Sequence, residues 1–166
     1  IIFAAVMTFC DWDFAKLGTV TYVTETYKAD GDFEKISVNA DTSDIEFIPA
    51  DDGKCTVECF ESEKVKHSVS VKDGTLVIET TDTRKWYDHI CISFIKPKVS
   101  VYLPKNEYAS LSVETDTGNI TVPRDFSFEN IGISGDTSDV DCRAAAADTV
   151  EIKVTAGGIV MDGLSA

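Results

Sequence analysis

Apolar and polar positions alternate along most of this chain with a period of two. Val20-Thr21-Tyr22-Val23-Thr24 opens the pattern, and Phe33, Ile36 and Val38 carry it on. Ile45-Glu46-Phe47-Ile48, Cys55–Cys59, Val65–Val71 and Leu76–Ile78 follow, then Ile90/Ile92/Phe94 and Val99/Val101/Leu103. Alternating β-branched and aromatic residues bounded by Gly, Asp and Pro predict half-buried strands. Outside the N-terminus nothing sustains an i, i+3, i+4, i+7 pattern for three turns, and Ala144–Ala147 is too short to be a helix in its own right. The expected fold class is all-β.

Turn residues punctuate the strands. Asp73-Gly74 lies between Val69/Val71 and Leu76/Ile78, and Asp-Gly accepts the positive φ values that a tight hairpin needs. Asp52-Gly53 reads as a second hairpin turn, and Pro97 starts another turn because proline cannot donate within a sheet. Pro104 and Pro123 close the strands before them.

Over this alternation lies a longer repeat. Ile36-Ser-Val-Asn-Ala-Asp-Thr-Ser-Asp-Ile45 matches Leu111-Ser-Val-Glu-Thr-Asp-Thr-Gly-Asn-Ile120 and Ile131-Gly-Ile-Ser-Gly-Asp-Thr-Ser-Asp-Val140, and more loosely Val150-Glu-Ile-Lys-Val-Thr-Ala-Gly-Gly-Ile159. The last three copies start at 111, 131 and 150, so they are 20 and 19 residues apart. Such a period in a strand-rich chain predicts a β-solenoid or β-helix-like stack of coils of about 20 residues, here preceded by β-hairpins. Adjacent coils would sit about 4.8 Å apart, with Leu111, Ile131 and Val150 on one interior line and Ile120, Val140 and Ile159 on another. At the corner, Asp116 and Asp136 are expected to accept backbone N–H bonds, with Gly118 or Ser138 in the tight position. Stacked acids repel, and the pattern sets Asn119 and Gly158 beside Asp139 and Thr155 beside Asp136. A calcium ladder is the functional alternative, but its glycine-rich nonapeptide is absent.

Composition then narrows the function. The chain has 166 residues, with 15 basic and 29 acidic side chains and a net charge of −14. That balance excludes nucleic acid as a partner and excludes docking on anionic lipid through a basic patch. Residues 1–17 read as the remnant of a membrane anchor or a juxtamembrane segment: Ile1–Cys10 is uncharged, and Asp11-Trp12-Asp13-Phe14 suits the outer interface. An ordinary buried strand or helix start fits the same run. Residues 18–166 read as one β-repeat domain, expected to continue beyond residue 166. Membrane contact is expected only through the anchor.

Candidate chemistry is sparse. Cys10, Cys55, Cys59, Cys91 and Cys142 contain no C-x-x-C pair and read as buried free thiols acting as small hydrophobes. His89 and Cys91 could offer two metal ligands on one strand face, but further ligands are missing nearby, so no metal is expected. His67, between Lys66 and Ser68, reads as a residue on the outer face of a strand. There is no nucleophile elbow, no H-E-x-x-H, no phosphate loop and no dinucleotide fingerprint. No catalytic residue and no cofactor is expected. Thr83–Asp88 breaks the alternation, and its Trp86 and Tyr87 form either a loop that contacts a partner or a plug folded over the end of the core.

The segment Lys98-Val99-Ser100-Val101-Tyr102-Leu103-Pro104-Lys105, followed by Tyr108–Val113, Thr117-Gly118-Asn119-Ile120 and the later repeats, resembles the DUF4097 family of bacterial membrane-anchored β-repeat proteins, often labelled "putative adhesin". The resemblance spans roughly residues 33 to 166, and Ser138 departs from it where a corner glycine is usual. It implies an exported, solenoid-like domain and supplies no catalytic residue. The expected function is a non-enzymatic extracytoplasmic, membrane-anchored module that contacts a protein or glycan partner at the cell surface. The alternatives are an envelope signalling or sensing ectodomain and a carbohydrate-active enzyme using surface carboxylates.

Overall fold

The computed structural model describes residues 22–62, 64–83 and 96–162, and every regular element among them is a strand. The first group is β1 (Tyr22–Lys28), β2 (Lys35–Thr42), β3 (Asp44–Ala50), β4 (Thr56–Ser62), β5 (Val65–Lys72), β6 (Thr75–Asp82) and β7 (Lys98–Pro104). The second group is β8 (Glu107–Thr117), β9 (Ile120–Val122), β10 (Ser127–Thr137), β11 (Val140–Cys142), β12 (Ala145–Ala156) and β13 (Ile159–Met161). They form two mixed sheets, in the orders β1-β4-β7-β3-β9-β11-β13 and β12-β10-β8-β2-β6-β5. No helix among the described residues is long and apolar enough to cross a membrane. The expected anchor remnant at residues 1–17 lies outside the described residues.

Each repeat contributes one strand to each sheet, and successive repeats pair in parallel, in direct register apart from one irregularity between Phe128 and Asn130 where β10 meets β12. Leu76, Ile36, Leu111, Ile131 and Val150 stand side by side across the second sheet. Val99, Ile45, Ile120, Val140 and Ile159 do the same across the first. Both lines expected from the repeat are therefore present, each extended by two further residues, but the rung of β12 and β13 is not interior: Val150 is half-buried and Ile159 is 45% exposed. Most members are 0–2% exposed, and the inward faces of both sheets share one apolar core that includes Phe47, Phe126 and Phe128. The physical cause is parity. A parallel pair in direct register puts like residues beside like, so an apolar period of two becomes a continuous buried column.

Chain order and spatial order differ. The first repeat copy, β2 and β3, pairs with β8 and β9 on one side and with β6 and β7 on the other. Hairpins and stack are thus not successive parts of the chain, because the earliest copy is held between later ones. The β5–β6 hairpin forms as expected, with φ of 50° at Asp73 and 73° at Gly74. Asp52-Gly53 joins strands that are not neighbours, since β7 lies between β3 and β4. There Asp52 Oδ1 accepts a bond from Lys54 N at 3.0 Å, which closes a local turn rather than a hairpin. One end of the stack is finished by the antiparallel strands β4, β5 and β1.

The corners explain the repeat's small residues. Gly118 has φ of +150°, and a Cβ there would collide with the backbone carbonyl of Ser43 on the adjacent rung. Gly157 stands in the same relation to Ser138. Corner acids bond from rung to rung: Asp44 Oδ1 accepts from Asn119 N at 2.8 Å, and Asp139 Oδ1 from Gly158 N at 2.7 Å. The rung-to-rung acceptors are thus Asp44 and Asp139, while Asp136 accepts at 3.4 Å from the Thr155 hydroxyl that the repeat placed beside it.

Candidate functional site

Two features depart from a plain stack, one interior and one open. The interior feature lies where β4 passes into β5. On β4 the inward residues are Val57, Cys59 and Glu61, and on β5 they begin with Val65 and His67. Glu61 is fully buried, and its Oε2 accepts two bonds from His67: one from the backbone N at 2.7 Å and one involving ring Nδ1 at 3.0 Å. On the far edge of the ring, Nε2 lies 3.3 Å from Ser43 Oγ, at the β2–β3 corner. Tyr27 Oη on β1 donates to Glu61 Oε1 at 3.5 Å. The donor atoms of Cys59, Glu61 and His67 all lie within 4.8 Å of one another.

Electrostatics follow from this burial. Loss of water pushes the Cys59 thiol up to about 12, and the Glu61 carboxylate adds to the shift. Tyr27 is pushed to about 12 by burial first and the Glu61 charge next. His67 is therefore not on an outer face, as its polar neighbours suggested: it is 5% exposed. The physical reason is strand parity, because residue 67 shares its face with Val65 and not with Lys66 or Ser68. The chain Ser43–His67–Glu61 has the order of a nucleophile, base and orienting acid. Ser43, however, is 1% exposed, so its hydroxyl does not meet solvent.

The open feature is a groove of about 1220 Å³ at the end of both sheets, where the β1–β2, β3–β4, β5–β6 and β7–β8 connections converge. Its lining carries the carboxylates Asp30, Asp32, Glu34, Asp52, Asp73 and Glu107 interspersed with the amines of Lys28, Lys35 and Lys54. Phe33, half-buried, stacks on Tyr108 with ring centroids 6.1 Å apart and planes 12° apart. Tyr108 stacks in turn on Phe128, and its hydroxyl donates to the Pro104 carbonyl at 2.7 Å. An aromatic stack rooted in the core thus ends in a concave surface lined by charges of both signs, with acids in excess.

The partner-contact candidates Trp86 and Tyr87 lie outside the described residues, as do His89, Cys91 and Cys10. Cys55, Cys59 and Cys142 are buried free thiols, as expected. Both the groove and the Glu61–His67 pair escaped the sequence reading. The pair left one signal, Cys59-x-Glu61 in phase with an apolar face. The groove left none, since its lining comes from four separate connections.

The model of a family described as Toastrack DUF4097 matches residues 33–166. No curated protein matches the chain. Among solved structures, a "putative cell adhesion protein" from Clostridium sporogenes aligns at TM-score 0.50 and 10% identity, over 87% of this chain and 99% of that one. A "putative adhesin" from Bacteroides fragilis aligns at TM-score 0.39 and 16% identity, over 88% and 95%. Another, from Parabacteroides distasonis, aligns at 0.45 and 13%, over 87% and 66%. At such identities the likeness concerns the fold alone.

Proposed function

Because the chain belongs to the Toastrack DUF4097 family, we propose that it is a non-enzymatic, extracytoplasmic interaction module, tethered to a bacterial membrane, whose groove holds a glycan of the cell surface. The β-solenoid-like stack is its scaffold. The observation that carries this reading is the groove itself: ligands favour concavities, and this one combines hydrogen-bond acceptors with an aromatic face. Carboxylates accept bonds from sugar hydroxyls, while Phe33 offers apolar contact to a sugar ring face. The C. sporogenes "putative cell adhesion protein" shares this fold. The burial of Ser43 supports a binding role over hydrolysis by the relay around His67.

A glycan array with the whole chain tests the proposal, using Phe33→Ala and Asp32→Asn as groove variants. Binding lost in both variants with unchanged melting is expected. A blank array, or binding indifferent to both substitutions, would overturn it. A sensing ectodomain would instead bind a membrane protein through this groove. An enzyme would turn over a polysaccharide panel and lose that turnover with one carboxylate.

A further inference from the structure

We propose that Cys59, Glu61 and His67 form a buried zinc site. The inference is independent of the groove and its ligand. Three observations carry it.

The first is the donor set. A thiolate sulfur, a carboxylate oxygen and an imidazole nitrogen are the three side-chain ligand types that zinc takes, and their mixture suits its borderline softness. Two strands supply them: β4 gives Cys59 and Glu61, two residues apart on one face, and β5 gives His67. Zinc bonds of about 2.0–2.3 Å place tetrahedral neighbours roughly 3.3–3.7 Å apart. The three donors already lie within 4.8 Å of one another, so small side-chain rotations close them on an ion.

The second is orientation of the imidazole. Nδ1 faces Glu61 Oε2 at 3.0 Å, and Nε2 faces Ser43 Oγ at 3.3 Å. When the ring carries its hydrogen on Nε2, it donates to Ser43, and the Nδ1 lone pair points at the carboxylate. In the other tautomer Nδ1–H donates to Oε2 and the Ser43 hydroxyl donates to Nε2; zinc selects the first, replacing the Nδ1–Oε2 hydrogen bond as the two atoms part from 3.0 Å to bind it. Metal-bound histidines ordinarily have their second nitrogen held by such a partner, which here is Ser43.

The third is charge. Glu61 is 0% exposed, and although it accepts bonds from His67 and Tyr27, a buried carboxylate that is hydrogen-bonded only to neutral groups keeps an uncompensated charge. A divalent ion with one carboxylate and one thiolate sums to zero: +2 − 1 − 1 = 0. On binding, the Cys59 S–H proton leaves to solvent as the zinc–sulfur bond forms, and the imidazole hydrogen resides on Nε2. A water molecule takes the fourth position.

Whole chain produced in zinc-supplemented medium, purified without a metal-affinity tag, would be assayed by elemental analysis. A parallel preparation in cobalt would be examined for the thiolate-to-cobalt absorption band. About one ion per folded chain and a clear band are expected. Cys59→Ala should lose the band and at least about ten-fold of the affinity, while Cys55→Ala, at another buried thiol, should keep both. Circular dichroism confirms that each protein is folded, and Glu61→Gln offers a second, isosteric variant should Cys59→Ala fail to fold. Folded wild-type chain with substoichiometric metal and no band would overturn the site, as would a Cys59→Ala protein that binds like the wild type.

Discussion

Gly118 shows how little freedom a corner residue has. Its backbone sits at φ of +150°, and the Ser43 carbonyl of the next rung occupies the place of a β-carbon. Gly118→Ala should therefore cost more than about 2 kcal/mol, through both strain and collision. Chemical denaturation would measure this, and a variant as stable as the wild type would contradict so close an approach. The glycine's role was legible in the repeat, where small residues recur at that position. His67 shows the opposite case. Its neighbours in sequence are polar, but parity puts it with Val65, and counting along the strand outranks local composition. Ser138, standing where two other repeats of this chain have Gly118 and Gly157, buries a hydroxyl that has no hydrogen-bond partner among the described residues.

At the scale of elements, burial sets the response to charge and to pH. Val140 is 1% exposed in the middle of its column, between Ile120 and Ile159. Val140→Asp should cost about 3–5 kcal/mol, because an unpaired charge would replace an apolar contact on both sides. An unchanged melting temperature would remove Val140 from the column. Titration acts more gradually. Burial raises the Cys55 thiol from 9.0 to about 12, and burial with the Cys55 charge raises Tyr108 from 10.0 to about 12. Both groups stay neutral longer in the folded state than in the unfolded one. Their contribution is thus whole below pH 9 and is lost as pH climbs towards 12. Thermal melts should be flat in this respect up to pH 9 and decline above it, less steeply in Cys55→Ala; an identical slope in both would contradict the burial of this thiol. Element type and the stacking of the last three repeats were legible because period two and period 20 both persist there. The placement of β2 and β3 between β6–β7 and β8–β9 was not, since nothing local to residues 35–50 records partners that lie some 40 to 75 positions further on.

The molecule as a whole carries a net charge of −14. Outward rows such as Asn39, Glu114, Ser134 and Lys153 dilute acids with neutral and basic residues, which lessens repulsion along the ladder without abolishing it. Raising salt from about 10 to 150 mM screens the remainder, so melting temperature should rise. A fall would mean that attractive pairs outweigh the net charge. The groove arises only at this scale, where four connections meet, and for that reason no window of sequence announced it.

The parallel register between distant repeats is tested most directly by crosslinking. Ser37 and Ser112 are 75 residues apart in sequence yet adjacent on the outer face, whereas Ser134 stands two rungs from β2. In a background with Cys10 and Cys91 replaced by serine, Ser37→Cys/Ser112→Cys should oxidise to an intramolecular disulfide, since neighbouring strands lie within the reach of about 4.4–6.8 Å between Cα atoms. Ser37→Cys/Ser134→Cys should not. If the second pair closes as readily as the first, or the first stays reduced, the rungs are not stacked in this order.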